Sequence, residues 1–132
     1  MSGEGTDVFI DLNSFAADER AEAWAGWVPR AWPGLRVAKA EGTPSGLVRM
    51  LQLDRARFWS LIATSHTVVS EPGHEGQADD TLALILVRSG ALQIAHDEQA
   101  IQLGAGDITV LQRSKQFRME HIGLTRSLVC EI

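Results

Sequence analysis

The chain has 132 residues, of which 45% are hydrophobic and 22% are charged, and its formal net charge is −5. This length suits one domain, which buries roughly two-thirds of its unfolded surface and needs no disulfide bridge. The single cysteine, Cys130, cannot form an internal bridge and favours a reducing cytoplasm. The acidic balance and the scattered Lys and Arg residues argue against direct nucleic-acid binding, and no apolar segment is long enough to span a membrane.

The amino-terminal part predicts a flexible lead-in over residues 1–12 and a helix over residues 13–31. Asn13 or Ser14 can cap the start of this helix, and Trp32-Pro33-Gly34 ends it. Apolar residues recur at helical spacing and predict the face that anchors the helix to the rest of the domain. These residues are Trp24, Trp27, Val28 and Ala31.

After Gly34 the sequence is typical of short strands and turns. The continuous apolar run 82–87 predicts a strand covered on both faces, and the pattern around residues 96–98 predicts a hairpin. The longest predicted loop covers residues 70–80. The predicted strands are 35–40, 47–53, 57–64, 82–87, 91–95, 99–103, 108–112, 117–121 and 127–132. One helix and eight to ten short strands predict a sandwich or a small barrel, with room for side chains or one small ligand.

Two glycine turns separate the strands between residues 82 and 111. Barrel corners need backbone angles that a Cβ forbids, and an Asp after such a turn can accept hydrogen bonds from backbone N–H groups. The predicted structural turn residues are Gly90, Gly104, Gly106 and Asp107. The order of strand, glycine turn, hairpin and Gly-Asp turn resembles the conserved half of a cupin. This resemblance implies a cupin-like double-stranded β-helix, a jelly-roll barrel over residues 35–132, with one amino-terminal α-helix.

The elements around the helix are similar to the amino-terminal sensor domain of AraC/XylS-type transcription regulators. In that family a short helix carrying Trp precedes a Gly-Leu strand, and Trp24, Trp27 and Gly34-Leu35 match this entry. The resemblance implies a cytoplasmic domain that binds a small-molecule effector in the barrel, needs no cofactor, and reaches DNA only through a carboxy-terminal helix-turn-helix half. Family members often dimerise through a helix after the barrel. The sequence stops at Ile132 before either part, so a homodimer is expected to use another surface.

The alternative function is that of a metal-dependent cupin enzyme of the isomerase or dioxygenase type. Such enzymes resemble one another in a His-x-His pair, a Glu and a further His that converge on a divalent metal. The chain has no His-x-His spacing, and Arg113 and Lys115 stand where the last histidine would be expected. No nucleophile elbow accompanies the serines. The sequence therefore predicts no metal site and no enzyme activity.

Four residues are candidates for ligand contact, and each has a structural alternative. Arg49 would bind an anionic or hydroxylated ligand if its strand face is the interior, and otherwise it forms a salt bridge at the barrel mouth or lies on the exterior. Trp59 would offer a flat wall or belong to the core. His66 would reach a ligand from the rim or be an ordinary histidine, and Phe117 would line the pocket or close the barrel end. A barrel filled by its own side chains, serving dimerisation alone, is the remaining alternative.

Overall fold

The computed structural model describes residues 7–40, 42–70, 81–96, 98–113 and 115–132. Within these ranges the chain forms one α-helix, two short 3₁₀ turns and nine strands. The helix α1 is Arg20–Ala31, and the 3₁₀ turns are Leu12–Ser14 and Ala17–Glu19. The strands are β1 Asp7–Asp11, β2 Leu35–Ala40, β3 Gly46–Leu53, β4 Ala56–Ala63, β5 His66–Ser70, β6 Leu82–His96, β7 Gln99–Leu103, β8 Ile108–Gln112 and β9 Arg118–Glu131.

The two long strands β6 and β9 pair with each other and pass through both sheets of the fold. The first sheet has the order β1-β3-β4-β9-β6-β8 and uses the last half of β9 and the first half of β6. The second sheet has the order β2-β5-β9-β6-β7 and uses the other halves. Every pairing is antiparallel, and the inner faces of both sheets enclose the core. The predicted jelly-roll with one helix is confirmed.

Bends within β6 and β9 let each strand cross from one sheet to the other. The sequence predicted separate strands at 82–87 and 91–95, and again at 117–121 and 127–132, which is wrong because each pair is one strand. The pairing of β6 with β9 shifts register on both sides of Ser89, and Gly90 has a φ of +81°. Gly123 in β9 has a φ of +70°. A bulge at a glycine bends the strand while the hydrogen bonding resumes beyond it.

The turn between β7 and β8 has the predicted structure. The backbone N–H of Gly104 donates to Asp107 Oδ2 at 2.8 Å, and the N–H of Asp107 donates to the Gly104 carbonyl at 3.0 Å. Gly106 has a φ of +91°. The β6–β7 hairpin also has the predicted register, with Leu92 opposite Leu103. Asp97 in its turn and most of the predicted 70–80 loop, from residue 71 onward, lie outside the described residues.

The amino-terminal elements begin differently from the prediction. Residues 7–11, predicted as part of the lead-in, form β1 along the edge of β3, because Ile10 inserts into the core. The α-helix begins at Arg20 and not at residue 13. The side chain of Asp11 accepts from the N–H of Asn13 at 2.9 Å, so Asp11 caps the preceding 3₁₀ turn. The predicted helical face is confirmed, since Trp24 and Val28 are fully buried.

The inner faces of β3 and β6 differ from the prediction. In β3 the buried residues are Val48 and Met50, while the alternate set that contains Arg49 faces outward. In β6 the run 82–87 is covered on one face only, and Leu82 and Leu84 are exposed. On each of these strands, the residues that point to one face and those that point to the other are both mainly apolar. Strand pairing, and not hydrophobicity, therefore decides which of the two faces the core.

Candidate functional site

The inner faces of the two sheets enclose a cavity of about 70 Å³ beneath α1. Its walls are mainly apolar and include Leu61, Val68, Ile85, Leu92, Met119 and Val129. Trp24, in α1, and Trp32, directly after it, form part of the wall. Since a water molecule takes about 30 Å³ in the liquid, this volume suits only a very small occupant unless a wall moves.

Aromatic contacts anchor α1 to the barrel, as the sequence predicted. The ring of Trp32 lies 4.5 Å from that of Trp59 in β4, and Trp27 contacts Trp59 edge-on at 6.3 Å between ring centroids. Trp24 contacts His66 edge-on at 5.4 Å. A displacement of the helix would therefore alter the cavity wall directly.

Two stacked histidines form the polar part of the wall on the second sheet. His66 and His121 pair across β5 and β9, and their rings lie 4.1 Å apart with planes 11° from parallel. His66 Nδ1 lies 2.8 Å from the carbonyl oxygen of Thr64. Because a carbonyl only accepts, this nitrogen carries the hydrogen in the neutral ring.

His121 keeps one ring nitrogen without a partner inside the protein. The residue is 5% exposed, and Nδ1 has no hydrogen-bond partner. We place the hydrogen of the neutral ring on Nε2. A neutral imidazole with its hydrogen on Nε2 leaves Nδ1 as a buried acceptor.

The burial of this pair predicts a pH-dependent stability. Burial lowers the pKa of His66 and lowers the pKa of His121 well below its usual value, the latter with a contribution from neighbouring His66. Below pH 6.5 the unfolded chain therefore binds more protons than the folded chain, and acidification favours unfolding. We expect the free energy of unfolding to fall from pH 7 to pH 5 with a slope of at most about 1.4 kcal/mol per pH unit for each histidine.

Urea unfolding at a series of pH values measures this slope. The control is the double variant His66→Phe with His121→Phe, which keeps two stacked rings and removes both titrating groups. Its stability should depend less steeply on pH over this interval. An unchanged slope would show that other groups, such as the surface carboxylates, cause the dependence.

A buried ion pair forms the polar part of the wall on the first sheet. Arg113 Nη1 pairs with Glu131 Oε2, and Trp59 Nε1 donates to Glu131 Oε1 at 2.7 Å. Arg113 Nη2 also donates to the Pro33 carbonyl at 3.1 Å. This bond links the residues directly after α1, which we call the end of the helix segment, to the end of β8. The side chains of Arg113 and Glu131 are only 8% and 2% exposed. The remaining guanidinium nitrogen, Arg113 Nε, is buried and has no hydrogen-bond partner.

The structure brings two of the four predicted ligand residues to the cavity. His66 and Phe117 both line it, and His66 lies inside the barrel and not at the rim. Trp59 is a core residue behind the wall, bonded to Glu131. Arg49 lies on the outer surface of the first sheet, which is the exterior alternative, so it does not reach the cavity.

Four polar wall residues were not among the predicted ligand contacts: Arg113, His121, Ser127 and Glu131. Period-two alternation along the end of β9 places Ser127, Val129 and Glu131 on one face, and this signal could have identified Glu131. His121 lies beyond the bend at Gly123, where the alternation is interrupted. Among the described residues, no three His, Cys, Asp or Glu side chains lie close enough together to hold a metal ion.

The fold and the sequence both match known proteins. Residues 45–130 match the family model described as cupin. The chain belongs to the cupin family. Among solved structures, this cupin superposes on the AraC-like transcriptional activator CuxR with a TM-score of 0.79 and 13% identity. The match covers 95% of this chain and 46% of that protein, so the cupin spans about half the length of the activator.

Other solved structures match over a smaller part of the chain. A cupin superfamily protein from Desulfitobacterium hafniense has a TM-score of 0.52 and 23% identity, with 71% of this chain and 81% of that protein covered. The EutQ protein of Clostridium difficile has a TM-score of 0.53 and 11% identity, with 67% and 63% covered. At these identities the likeness shows the fold alone. No protein of curated function matches the chain, and the helix within the described residues is too short and too polar to cross a bilayer.

Proposed function

We propose that this cupin binds a small, mainly apolar molecule in its cavity and acts as the effector-sensing domain of an AraC-type transcription regulator. The observation that carries the proposal is a pair of buried polar atoms without partners on residues that line an apolar cavity, His121 Nδ1 and Arg113 Nε. Each unpaired buried group costs about 1–3 kcal/mol. An occupant that bonds to either atom would recover part of this free energy.

The two atoms define the chemistry of the occupant. His121 Nδ1 accepts a hydrogen bond, whereas the N–H of Arg113 donates one. The ligand should therefore combine an apolar body with at least one donor and one acceptor, as a phenol or a short hydroxylated aliphatic compound does. Glu131 pairs with Arg113 and also lies 3.7 Å from Arg57 Nε, so the site does not require an ionised ligand.

The helix α1 supplies the mechanism of signalling. We propose that a molecule larger than the cavity of about 70 Å³ is accommodated by displacement of Trp24, in α1, or Trp32, directly after it. Ligand binding would then favour a different position of α1, because a ligand shifts an equilibrium by its differential affinity for the two states. The TM-score of 0.79 with an AraC-like activator supports a regulatory role. In this proposal the regulator acts in the cytoplasm. Its contact with DNA is made by a helix-turn-helix half outside these 132 residues.

Thermal unfolding with phenol and with toluene tests the site. Phenol offers a donor and an acceptor on a body similar in size to toluene, which offers neither. At about 100 times its dissociation constant, phenol should stabilise the protein by about 2.7 kcal/mol, which raises Tm by several degrees. Toluene at the same concentration should raise Tm less.

Two variants locate the effect. His121→Phe removes the acceptor and should reduce the response to phenol, while the bond from Arg113 Nε can remain. Ala83→Leu, at a buried wall residue, should abolish the response to both compounds, whereas Ala100→Leu on exposed β7 should leave it unchanged. A response to phenol that Ala83→Leu does not affect would place binding elsewhere and contradict the proposal.

The domain is proposed as a binding module and not as an enzyme. Metal analysis of the purified protein separates it from a metal-dependent cupin enzyme. We expect less than stoichiometric Zn, Fe and Mn, with no change on replacing His66 and His121. A stoichiometric metal that the double replacement removes would favour the enzyme.

A further inference from the structure

One outer face of the barrel is apolar across six strands. Three rows of side chains cross the first sheet in register. The middle row runs through Leu51, Phe58, Cys130, Leu84 and Val110, each opposite the next in the strand pairing. We call the ten exposed large apolar residues of these rows the outer apolar face. They are Phe9, Leu51, Leu53, Phe58, Leu82, Leu84, Ile108, Val110, Leu128 and Ile132.

The outer face of the second sheet gives an internal comparison. Its rows carry charged and amide side chains, among them Arg36, Arg118, Glu120, Gln93 and Gln102. An antiparallel sheet that faces water on one side is normally polar on that side. The second sheet follows this rule and the first does not. We therefore expect the outer face of the first sheet to be covered by another protein surface.

The area of the face matches half of a protein dimer. With these ten side chains 37–69% exposed, the face presents on the order of 900 Å², whereas each partner in a standard interface buries about 800 Å². The largest apolar patch on a typical monomer is about 300–600 Å².

The charges indicate which partner covers it. Arg49 is the one charged residue among the described side chains of the three rows. Copies of a chain with a net charge of −5 repel each other over most of their surfaces. None of the described side chains in these rows is a carboxylate, so this face is where two copies can meet with least repulsion. A flat sheet can also pack on its own copy about two-fold symmetry, with the sheets about 10 Å apart.

We propose that two copies of this chain form a symmetric dimer through the outer apolar face of the first sheet. The contact lies on the opposite side of that sheet from the cavity, so it does not depend on the proposed ligand. Leu84 and Cys130, opposite each other in the middle row, lie near the centre of the interface. Arg49 lies toward the β1 side and can stay hydrated at the rim.

Sedimentation equilibrium of the 132-residue chain, from 1 to 100 µM, tests the dimer. We expect twice the chain mass in the wild type, and a dissociation constant at least 100-fold weaker in Leu84→Glu. The matched control is Ile122→Glu on the second sheet, since Leu84 and Ile122 are 43% and 40% exposed. The control should remain dimeric. Val110→Lys, at the end of the middle row, provides a second variant if Leu84→Glu does not fold.

Alkylation of Cys130 by iodoacetamide provides an independent measurement. The rate should fall as the wild-type concentration rises, and this dependence should disappear in the variant that dissociates. A wild-type monomer at 100 µM would overturn the proposal and leave the face to a different partner. A dimer that survives both Leu84→Glu and Val110→Lys, or one that Ile122→Glu also disrupts, would overturn it as well.

Discussion

Replacement of Gly90 by alanine is expected to lower the free energy of unfolding by about 3 kcal/mol or more. Gly90 has a φ of +81°, and a Cβ there would lie 2.5 Å from the carbonyl oxygen of Leu124 and 2.8 Å from Thr125 Cα. Both neighbours are backbone atoms of β9, so they can move only if the β6–β9 pairing moves. Urea unfolding followed by circular dichroism measures the loss.

Gly106→Ala separates the clash from the backbone conformation. Gly106 has a φ of +91°, and an added Cβ would meet no atom within 4 Å. This variant should therefore lose only about 1–2 kcal/mol, which is the cost of the left-handed conformation for an L-residue. Equal losses in the two variants would show that the close approach of β9 to Gly90 does not matter.

These two glycines also show what the sequence could predict about the fold. Gly106 precedes an Asp and stands between two alternating segments, which is sufficient to predict a turn. Gly90 has the same local appearance, but β6 continues through it. The difference arises because β9 runs alongside β6 on both sides of the bend. A contact between segments so distant in the chain leaves no local signal at Gly90.

The orientation of β3 was unpredictable for a related reason. Two alternating sets, Val48 with Met50 and Leu47 with Leu51, are both apolar, so the pattern fits either face of the sheet. The residues of β6 are similarly apolar on both faces. The ambiguity reflects the outer apolar face itself: a sheet that buries one face in the core and is mainly apolar on the other has few polar residues to mark the outside. For this reason the sequence left open whether Arg49 faces the interior or the exterior.

The candidate site was partly predictable. His66 and Phe117 line the cavity, and each was singled out in the sequence for its residue type and its place at the end of a predicted strand. Their polar partners are supplied by other segments, since β9 brings His121 beside His66 and β8 ends where Arg113 meets Glu131. Spacing along one strand carries no information about such pairs.

Replacement of Glu131 by glutamine is expected to cost about 3–5 kcal/mol, because it leaves the buried guanidinium of Arg113 without its counter-charge. The variant keeps the size of the side chain and an oxygen that can accept from Trp59 Nε1, so neither a cavity nor a lost tryptophan bond explains the loss. Chemical denaturation at pH 7 measures it. Glu120→Gln, at an exposed position of the same strand, should change stability by less than about 0.5 kcal/mol.

The double variant Arg113→Met with Glu131→Gln decides the cause. Removing both charges eliminates the uncompensated guanidinium, so the double variant should be more stable than Glu131→Gln alone. It should still be less stable than the wild type, because the hydrogen bond from Arg113 to the Pro33 carbonyl is lost. A double variant as unstable as the sum of the two single variants would show that the residues act independently. The ion pair would then not be what holds the end of the helix segment against the barrel.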